Sequence, residues 1–454
     1  MKSARSNRIV CFALALLLTL PATVRSQGRP DEFPSVLSIR DQARTVFQIT
    51  QKRLEKLIPE IMDETGFDMW IIACNEDDLD PVYRTMIPFE MWCPITQILL
   101  FYHKGPGYPV ERINISRTNL DGLFTAAWDY NAFDKGGSEG QWDCLKRIVM
   151  ERDPKNIGIN IGKVQWIGGG LTVALHEKII ETIGKKYSAR LTSAEEMATI
   201  WGMTLIEEEI PLMERAQAIS HAIIAETYSS KAITPGVTTL DDLMYYYWQR
   251  VNDLGLDILA HPKFRIKGRS QADIEKYGKD DKVIRHGDFL FCDVVLKYMR
   301  YSTDHAEWAY VLRPGETEAP MSFRMLMAEG NRLQDIFCNE FREGLTGNEV
   351  LRRILDKAKQ QGISGPMIYS HGIGCYLHEP GPLVGLPWEQ EFIPGRGEVK
   401  VRYNTCYAAE LSVGRPMPEL DGSVLNMALE QIVCFTEKGM VFLDDRQTGF
   451  YLVR

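Results

Sequence analysis

Apolar and polar positions alternate between two rhythms along this chain. Between Ser38 and Thr65, Val46, Ile49, Leu54, Leu57, Ile58 and Ile61 recur at the spacing of one helical face, and Gly66 follows as a stop. Asp68 to Cys74, Ile98 to Tyr102 and Asn156 to Ile161 are instead short apolar runs that read as buried strands, before Leu171 to Ile183 returns to helical spacing. This alternation predicts an α/β domain over residues 27–203. A second domain, 204–454, opens with a predicted amphipathic helix over Glu207 to Lys231, with Ile210, Met213, Ala216, Ile219, Ile223 and Ala225 on one side. Thr238 or Thr239 with Asp241 and Asp242 starts another helix, which Gly255 ends. Helices over Pro320 to Glu343 and Asn348 to Gln361 follow, then strands over Tyr407 to Val413, Val424 to Thr436 and Val441 to Leu443. Part of the stretch 81–140 follows neither rhythm.

The polar residues that interrupt the apolar runs carry the chemistry. Phe289 to Leu296 and Trp308 to Leu312 read as two strands joined by a polar turn around Lys297 to Arg300, with Asp293 and Asp304 facing each other from adjacent strands. A carboxylate inside such a run is costly to bury unless a cation or a set of donors meets it. Two converging carboxylates repel, and a metal resolves the conflict. The plain alternative is that Asp293 caps a strand end and Asp304 lies in a solvated loop. Glu410 and Glu430 repeat the oddity within Cys406 to Ser412 and Ala428 to Val433, so a strand pair with two acids occurs in each half of this domain. Between them lies His371-Gly372-Ile373-Gly374-Cys375-Tyr376-Leu377-His378-Glu379-Pro380, whose glycines let the backbone pass close to something. Four carboxylates and one imidazole form a hard, oxygen-rich set suited to two divalent cations such as Mn, Co or Zn.

Composition narrows the context. Hydrophobic residues make up 45% and charged residues 25% of the 454, the balance of a globular protein with ample core. The formal charge of −9 has no basic block beside it, which argues against nucleic acid or an anionic membrane surface as partner. Lys2, Arg5 and Arg8 precede an apolar run from Ile9 to Leu20, with a small-residue site near Val24 to Ser26. Residues 1–26 thus read as a secretory signal peptide, too short in its apolar part for an anchor, and the mature chain is expected to be exported. Eight cysteines remain after Cys11; Cys292, Cys406 and Cys434 lie in strand-like runs where a buried thiol is the expected state. The acidic run Glu76 to Asp80 lacks the glycine and closing glutamate of an EF-hand and reads as a solvated loop. Gly168 to Gly170 has no following Lys-Ser/Thr and is no phosphate loop.

The order Asp293, Asp304, His371-Gly-Ile-Gly, His378-Glu379-Pro380, Glu410, Glu430 resembles the methionine aminopeptidase/Xaa-Pro peptidase/creatinase superfamily over about residues 205–454. The resemblance implies an α+β pita-bread catalytic domain, preceded by an α/β creatinase-type N-terminal domain. It implies two divalent metal ions, manganese foremost, held by Asp293, Asp304, His371, Glu410 and Glu430, with Asp304 and Glu430 bridging. It further implies that Glu410 accepts a proton from the attacking water and that His378 contacts the substrate as a donor. The expected activity is removal of the N-terminal residue of a peptide, at Xaa-Pro bonds, in a homodimer whose N-terminal domain closes a neighbouring site.

Two features depart from that pattern. The histidine that proline-directed members carry shortly before the first Asp has Lys276-Tyr277 as its best counterpart, with His261 as a possible stand-in for substrate binding. Asn426 to Leu429 precede Glu430 with no arginine among them. His305 and Glu307 read as bystanders. Rivals to the aminopeptidase reading are a prolidase-type dipeptidase, a creatinase-like amidinohydrolase, and a non-catalytic binding protein on the same fold.

Overall fold

Ser38 accepts a hydrogen bond from the Asp41 amide and so caps the helix α1 (Ile39–Thr65), which ends where Gly66 turns left-handed at φ 72°. The computed structural model describes residues 33–137 and 139–454 from this point of the chain onward. The leader 1–26 with Cys11 lies outside the described residues. Strands β1 (Met69–Asn75), β2 (Thr96–Tyr102), β3 (Glu111–Asn114), β4 (Thr125–Ala126), β5 (Ile157–Ile159) and β6 (Leu191–Ser193) form a six-stranded mixed sheet in the order β4-β3-β2-β1-β5-β6. Around it lie α2 (Pro81–Met86), α3 (Tyr130–Asp134), α4 (Gln141–Arg152), α5 (Val173–Ser188) and α6 (Glu195–Met203). The alternation of helix and strand read from the sequence is therefore present, and the unassigned stretch supplies α2, two short strands and α3.

One expectation here is corrected in part. Asp77 and Asp78 are exposed, as a solvated loop requires, but Asp80 is buried. Its carboxylate accepts from the Val82 and Tyr83 amides at the start of α2 and from Asn160 Nδ2 at 2.9 Å. These donors offset the cost of burial that the sequence pattern alone could not show to be met.

The rest of the chain builds a second body of sheet and helix. After α7 (Ile210–Thr227) and α8 (Leu240–Asp253) come β7 (Asp257–Ile258), β8 (Lys263–Gly268), α9 (Gln271–Tyr277), β9 (Phe289–Val294), β10 (Leu296–Tyr298), β11 (Tyr301–Ser302) and β12 (His305–Val311). Helices α10 (Met321–Glu340) and α11 (Gly347–Gln360) then lead to β13 (Met367–Gly372), β14 (Glu379–Val384), β15 (Thr405–Pro416), β16 (Val424–Thr436), β17 (Gly439–Phe442) and β18 (Tyr451–Val453). A nine-stranded sheet runs β14-β13-β15-β16-β12-β9-β8, with β17 beside β16 and β18 beside β12. The segment between β9 and β12 is not a plain polar turn. Tyr298 and Met299 are buried, and β10 and β11 form their own hairpin with β7. The second strand accordingly starts at His305 rather than Trp308.

The two halves of the large sheet are backed alike. Leu290, Cys292, Val294, Ala309 and Val311 share a core with Ile219, Ile223, Leu243 and Tyr247 of α7 and α8. Ala409, Leu411, Val413 and Leu429 share one with Leu326, Leu333, Val350 and Leu351 of α10 and α11. Because successive strand residues alternate sides, residues 293 and 306 point away from α7 and α8, and residues 408, 410 and 430 point away from α10 and α11. All eight described cysteines are free thiols.

Candidate metal centre

Pairing within the large sheet sets one row of side chains across six strands. Lys263 pairs Asp293, Asp293 pairs Ala306, Ala306 pairs Glu430, Glu430 pairs Glu410, and Glu410 pairs Tyr369. Directly opposed residues of antiparallel strands project to the same face, so this row carries three carboxylates on one side of the sheet. Ala306 is its smallest member. His371, two residues after Tyr369, stands on that same face one step along its strand, and Asp304, just before β12, meets it there with Oδ2 3.6 Å from His371 Nε2. His305 and Glu307 stand on the opposite face and meet α7: His305 Nδ1 lies 2.9 Å from Ser220 Oγ, and Glu307 Oε1 lies 3.4 Å from His221 Nε2.

The chain supplies the acids of this face with little positive charge. Asp304, His371 and Glu430 are buried. Burial, together with the charges of Asp293 and Glu410, holds the Asp304 carboxyl well above the usual carboxylate range. Glu430 is raised for the same reasons, burial first and then Asp304 and Glu410. Glu410 is pushed up to about 7 by burial and by Asp293, with Lys263 pulling the other way. Lys263 Nζ lies 2.8 Å from Asp293 Oδ2.

His371 is prepared as a ligand. Its Nδ1 lies 2.9 Å from the Gly372 carbonyl, an acceptor that assigns the proton to Nδ1. Nε2 is left buried without a hydrogen-bond partner, 3.6 Å from Asp304 Oδ2. Burial and the neighbouring His378 hold the ring neutral, its pKa pushed down to about 3. Ligand atoms of His371, Glu410 and Glu430 lie within 4.8 Å of one another, as do those of Asp304, His371 and His378. An orphaned imidazole nitrogen facing mutually repelling carboxylates is a donor set that fits divalent cations.

His378 stands at the mouth of this face, its ring centroid 4.4 Å from that of His371 in an edge-on contact. Partial burial and Arg396 lower its pKa. The glycines between the two histidines have a definite use. A Cβ on Gly374 would meet Glu379 Oε1 at 3.0 Å, and one on Gly372 would meet the Pro380 carbonyl at 3.0 Å. The loop thus folds back on Glu379, whose Oε1 accepts the Tyr376 amide at 2.9 Å. His261 is exposed, two residues before Lys263, and its ring packs edge-on against Trp248 at 4.8 Å. Lys276-Tyr277 closes α9, where the Arg285 guanidinium lies 3.5 Å from the Tyr277 ring centroid.

Sequence reasoning missed four residues here. Lys263 was legible only through strand register, which places it opposite Asp293. Tyr369 shares the row. Arg396 is half-buried, gives Nη2 to the Glu379 carbonyl at 2.8 Å, and keeps its Nε buried without a partner. Trp166, from the N-terminal α/β part, donates Nε1 to the His378 carbonyl at 3.0 Å and packs edge-on against Tyr376 at 4.8 Å. Beside it, Gln165 Nε2 donates to the Gly381 carbonyl at 3.1 Å while its Oε1 accepts the Gly381 amide at 3.2 Å.

A mostly antiparallel sheet backed by two helix pairs, with acids and a histidine gathered on one face, is the pita-bread architecture behind an α/β N-terminal region. The model of metallopeptidase family M24 matches residues 211–437, half of the chain, and the protein belongs to that family. Its fold is similar to that of an X-Pro aminopeptidase from Thermotoga maritima MSB8, with a TM-score of 0.61 at 18% identity over 88% of this chain and 100% of that one. It is likewise similar to an Xaa-Pro dipeptidase from Bacillus anthracis (TM-score 0.56, 16% identity, 90% and 100% covered). A prolidase from Pyrococcus furiosus follows the same fold (TM-score 0.51, 15% identity, 86% and 99% covered). No curated protein matches the chain.

Proposed function

We propose that this protein is an exported, dinuclear-metal aminopeptidase that hydrolyses the first peptide bond of its substrates, with Xaa-Pro bonds preferred. The observation that carries the reading is the single sheet face on which strand register sets Asp293 in one row with Glu430 and Glu410, and on which Asp304, Glu410 and Glu430 gather around the unpartnered imidazole nitrogen of His371. These five residues would hold two divalent cations, manganese being the ion we favour for a carboxylate-rich set. Such ions supply an activated water and a Lewis acid for the scissile carbonyl.

The chain's own groups then divide the remaining work. Glu410, on the same face as the other four, would accept a proton from the attacking water and pass it to the leaving amine. His378, neutral and edge-on to His371, offers an N–H to the substrate carbonyl and to the oxyanion formed from it. Trp166 and Tyr376 fix the backbone of the segment that carries His378. Export rests on the leader pattern at residues 1–26, and a homodimer remains part of the proposal by family resemblance.

A dipeptidase of prolidase type is favoured by one observation. Arg396 presents a buried, unpartnered Nε near His378, and a guanidinium with a free donor suits the terminal carboxylate of a short substrate. Both readings are tested by assaying metal-free protein, reloaded with Mn, Co or Zn, on Xaa-Pro dipeptides, Xaa-Pro-Xaa tripeptides and peptides without proline. The expected result is metal-dependent cleavage of tripeptides, reduced about 10³-fold or more by Glu410→Ala. Preference for the dipeptides would establish the second reading. Tight metal binding without any turnover would overturn both in favour of a binding protein on this fold.

A further inference from the structure

In the register of β15 and β16, Cys406 stands directly opposite Cys434. No other strand pairing among the described residues sets cysteine against cysteine: Cys74 faces Gln97, and Cys292 faces Glu307 and Phe264. Both members of the pair are free thiols and fully buried, and Cys406 is close enough to Cys434 for the two to hydrogen-bond.

Two backbone hydrogen bonds fix which kind of pair this is. The Cys406 carbonyl accepts the Ile373 amide at 3.0 Å, so the polar groups of residue 406 are turned to the β13 side. The Ile432 carbonyl accepts the Leu443 amide at 2.9 Å, so residue 432 is turned to the β17 side, and residue 434 two positions on is turned the same way. Neither cysteine bonds the other through its backbone, which makes 406 and 434 a non-hydrogen-bonded pair. In such pairs the Cα atoms come to about 4.5 Å, against about 5.5 Å in the hydrogen-bonded kind. A disulfide spans roughly 4.4–6.8 Å between Cα atoms, so the backbone already holds the two residues at a bridging separation. Burial, Cys434 itself and Glu209 all hold the Cys406 thiol protonated. A buried, protonated thiol is inert. The pair is therefore reactive while β15 and β16 are coming together or apart, and closed to reagents once they are packed.

We propose that Cys406 and Cys434 form a cross-strand disulfide as β16 docks on β15, by exchange with a low-molecular-weight disulfide. One cysteine, as thiolate, attacks a sulfur of the small disulfide; a mixed disulfide forms and one small thiol leaves. The second cysteine attacks the protein sulfur of that mixed disulfide and displaces the other small thiol. Two electrons and two protons pass from the protein to the two small thiols. The bond staples the strands that carry Glu410 and Glu430, with Ala408 and Ile432 between the sulfurs and the acids. It restricts the unfolded chain and so stabilises the folded one. The inference is independent of the metal centre and of the reaction proposed above.

The test uses the purified full chain, refolded from urea in a mixture of oxidised and reduced glutathione, then alkylated in denaturant, digested and read by fragmentation mass spectrometry. Where refolding yields little, the native protein is held with the same mixture in urea just below its unfolding transition. The expected result is Cys406 and Cys434 joined to each other, lighter by two hydrogens, and alkylated only after reduction. In urea unfolding the joined form should have a folding equilibrium constant about ten-fold or more above that of the reduced form. The Cys406→Ala, Cys434→Ala double variant should show no such gap between oxidised and reduced samples. Alkylation of both cysteines without reduction, a lasting glutathione adduct on either, or a bond from either to another cysteine would overturn the inference. So would a joined form no more stable than the reduced one.

Discussion

Strand β12 has a buried acidic cluster on each of its faces, and the two are held in opposite ways. On the outer face Glu307 lies 3.4 Å from His221 Nε2 and accepts the Tyr451 hydroxyl at 2.8 Å and the Gln431 amide at 3.4 Å. His221 in turn meets Asp444 through Nδ1 at 2.7 Å. Burial alone would pull its imidazole down, but Glu307 and Asp444 outweigh that and raise its pKa, so the acid is answered by a cation of the chain itself. On the inner face Asp304, Glu410 and Glu430 raise one another's proton affinity, and the facing histidine is neutral. Burying an acid is common to both faces. What distinguishes a binding site from a core network is whether the chain completes the charge.

The largest effect that would sharpen this contrast comes from Glu430→Gln. Removing one of the repelling carboxylates should leave the metal-free chain as stable as the wild type or more so, while metal affinity falls by at least about 10³-fold, beyond the 10–100-fold that an outer partner costs. Paired urea unfolding and metal titration decide it; a variant that unfolds early yet binds metal normally would break the contrast. Next in size is His221→Ala, which strands Glu307 and Asp444. It should cost about 3 kcal/mol in urea unfolding because an unpaired buried charge is left behind, with the metal stoichiometry unchanged. Unchanged stability would mean that the outer network is not self-completing.

The smallest effect concerns Asp80, a buried acid answered by neutral donors rather than by a cation. Burial pushes its carboxyl from 3.8 up to about 6. The folded state then holds the proton more tightly than the unfolded one, so this group's contribution is fully present below pH 4 and is lost as pH rises through 6. Asp80→Asn does not titrate and should therefore gain on the wild type across that window by on the order of 2 kcal/mol, read from urea midpoints at pH 4 and 7. A difference that stays flat with pH would show Asp80 ionised throughout.

Much of this was legible in the sequence because it is written in local patterns. Carboxylates interrupting apolar runs at 293, 410 and 430 stand out in any alternation of strand positions, and the capped helices α1 and α8 begin at Ser38 and at Thr239, the second of the two threonines the sequence offered. Residues whose meaning depends on register or on distant partners did not stand out. Lys263 follows Pro262 in an unremarkable stretch and gains significance only opposite Asp293. Asp80 looks like one more member of an acidic run until Asn160 is known to reach it. His305 and Glu307 sit beside Asp304 in sequence, yet strand alternation turns them to the other side, where His221 waits 84 to 86 positions upstream in the chain. Trp166 acts on the segment of His378 across 212 positions, a relation that no spacing rule reaches.

The doubled hydrogen bond between Gln165 and Gly381 has a kinetic meaning as well. One side-chain amide stands in for a missing neighbouring strand, protecting the Gly381 N–H and saturating its carbonyl. That amide can exchange with solvent only when residues 216 apart in the chain let go of each other. Its hydrogen-exchange rate is therefore a clock, keeping time for how often the N-terminal part releases the segment on which His378 is carried.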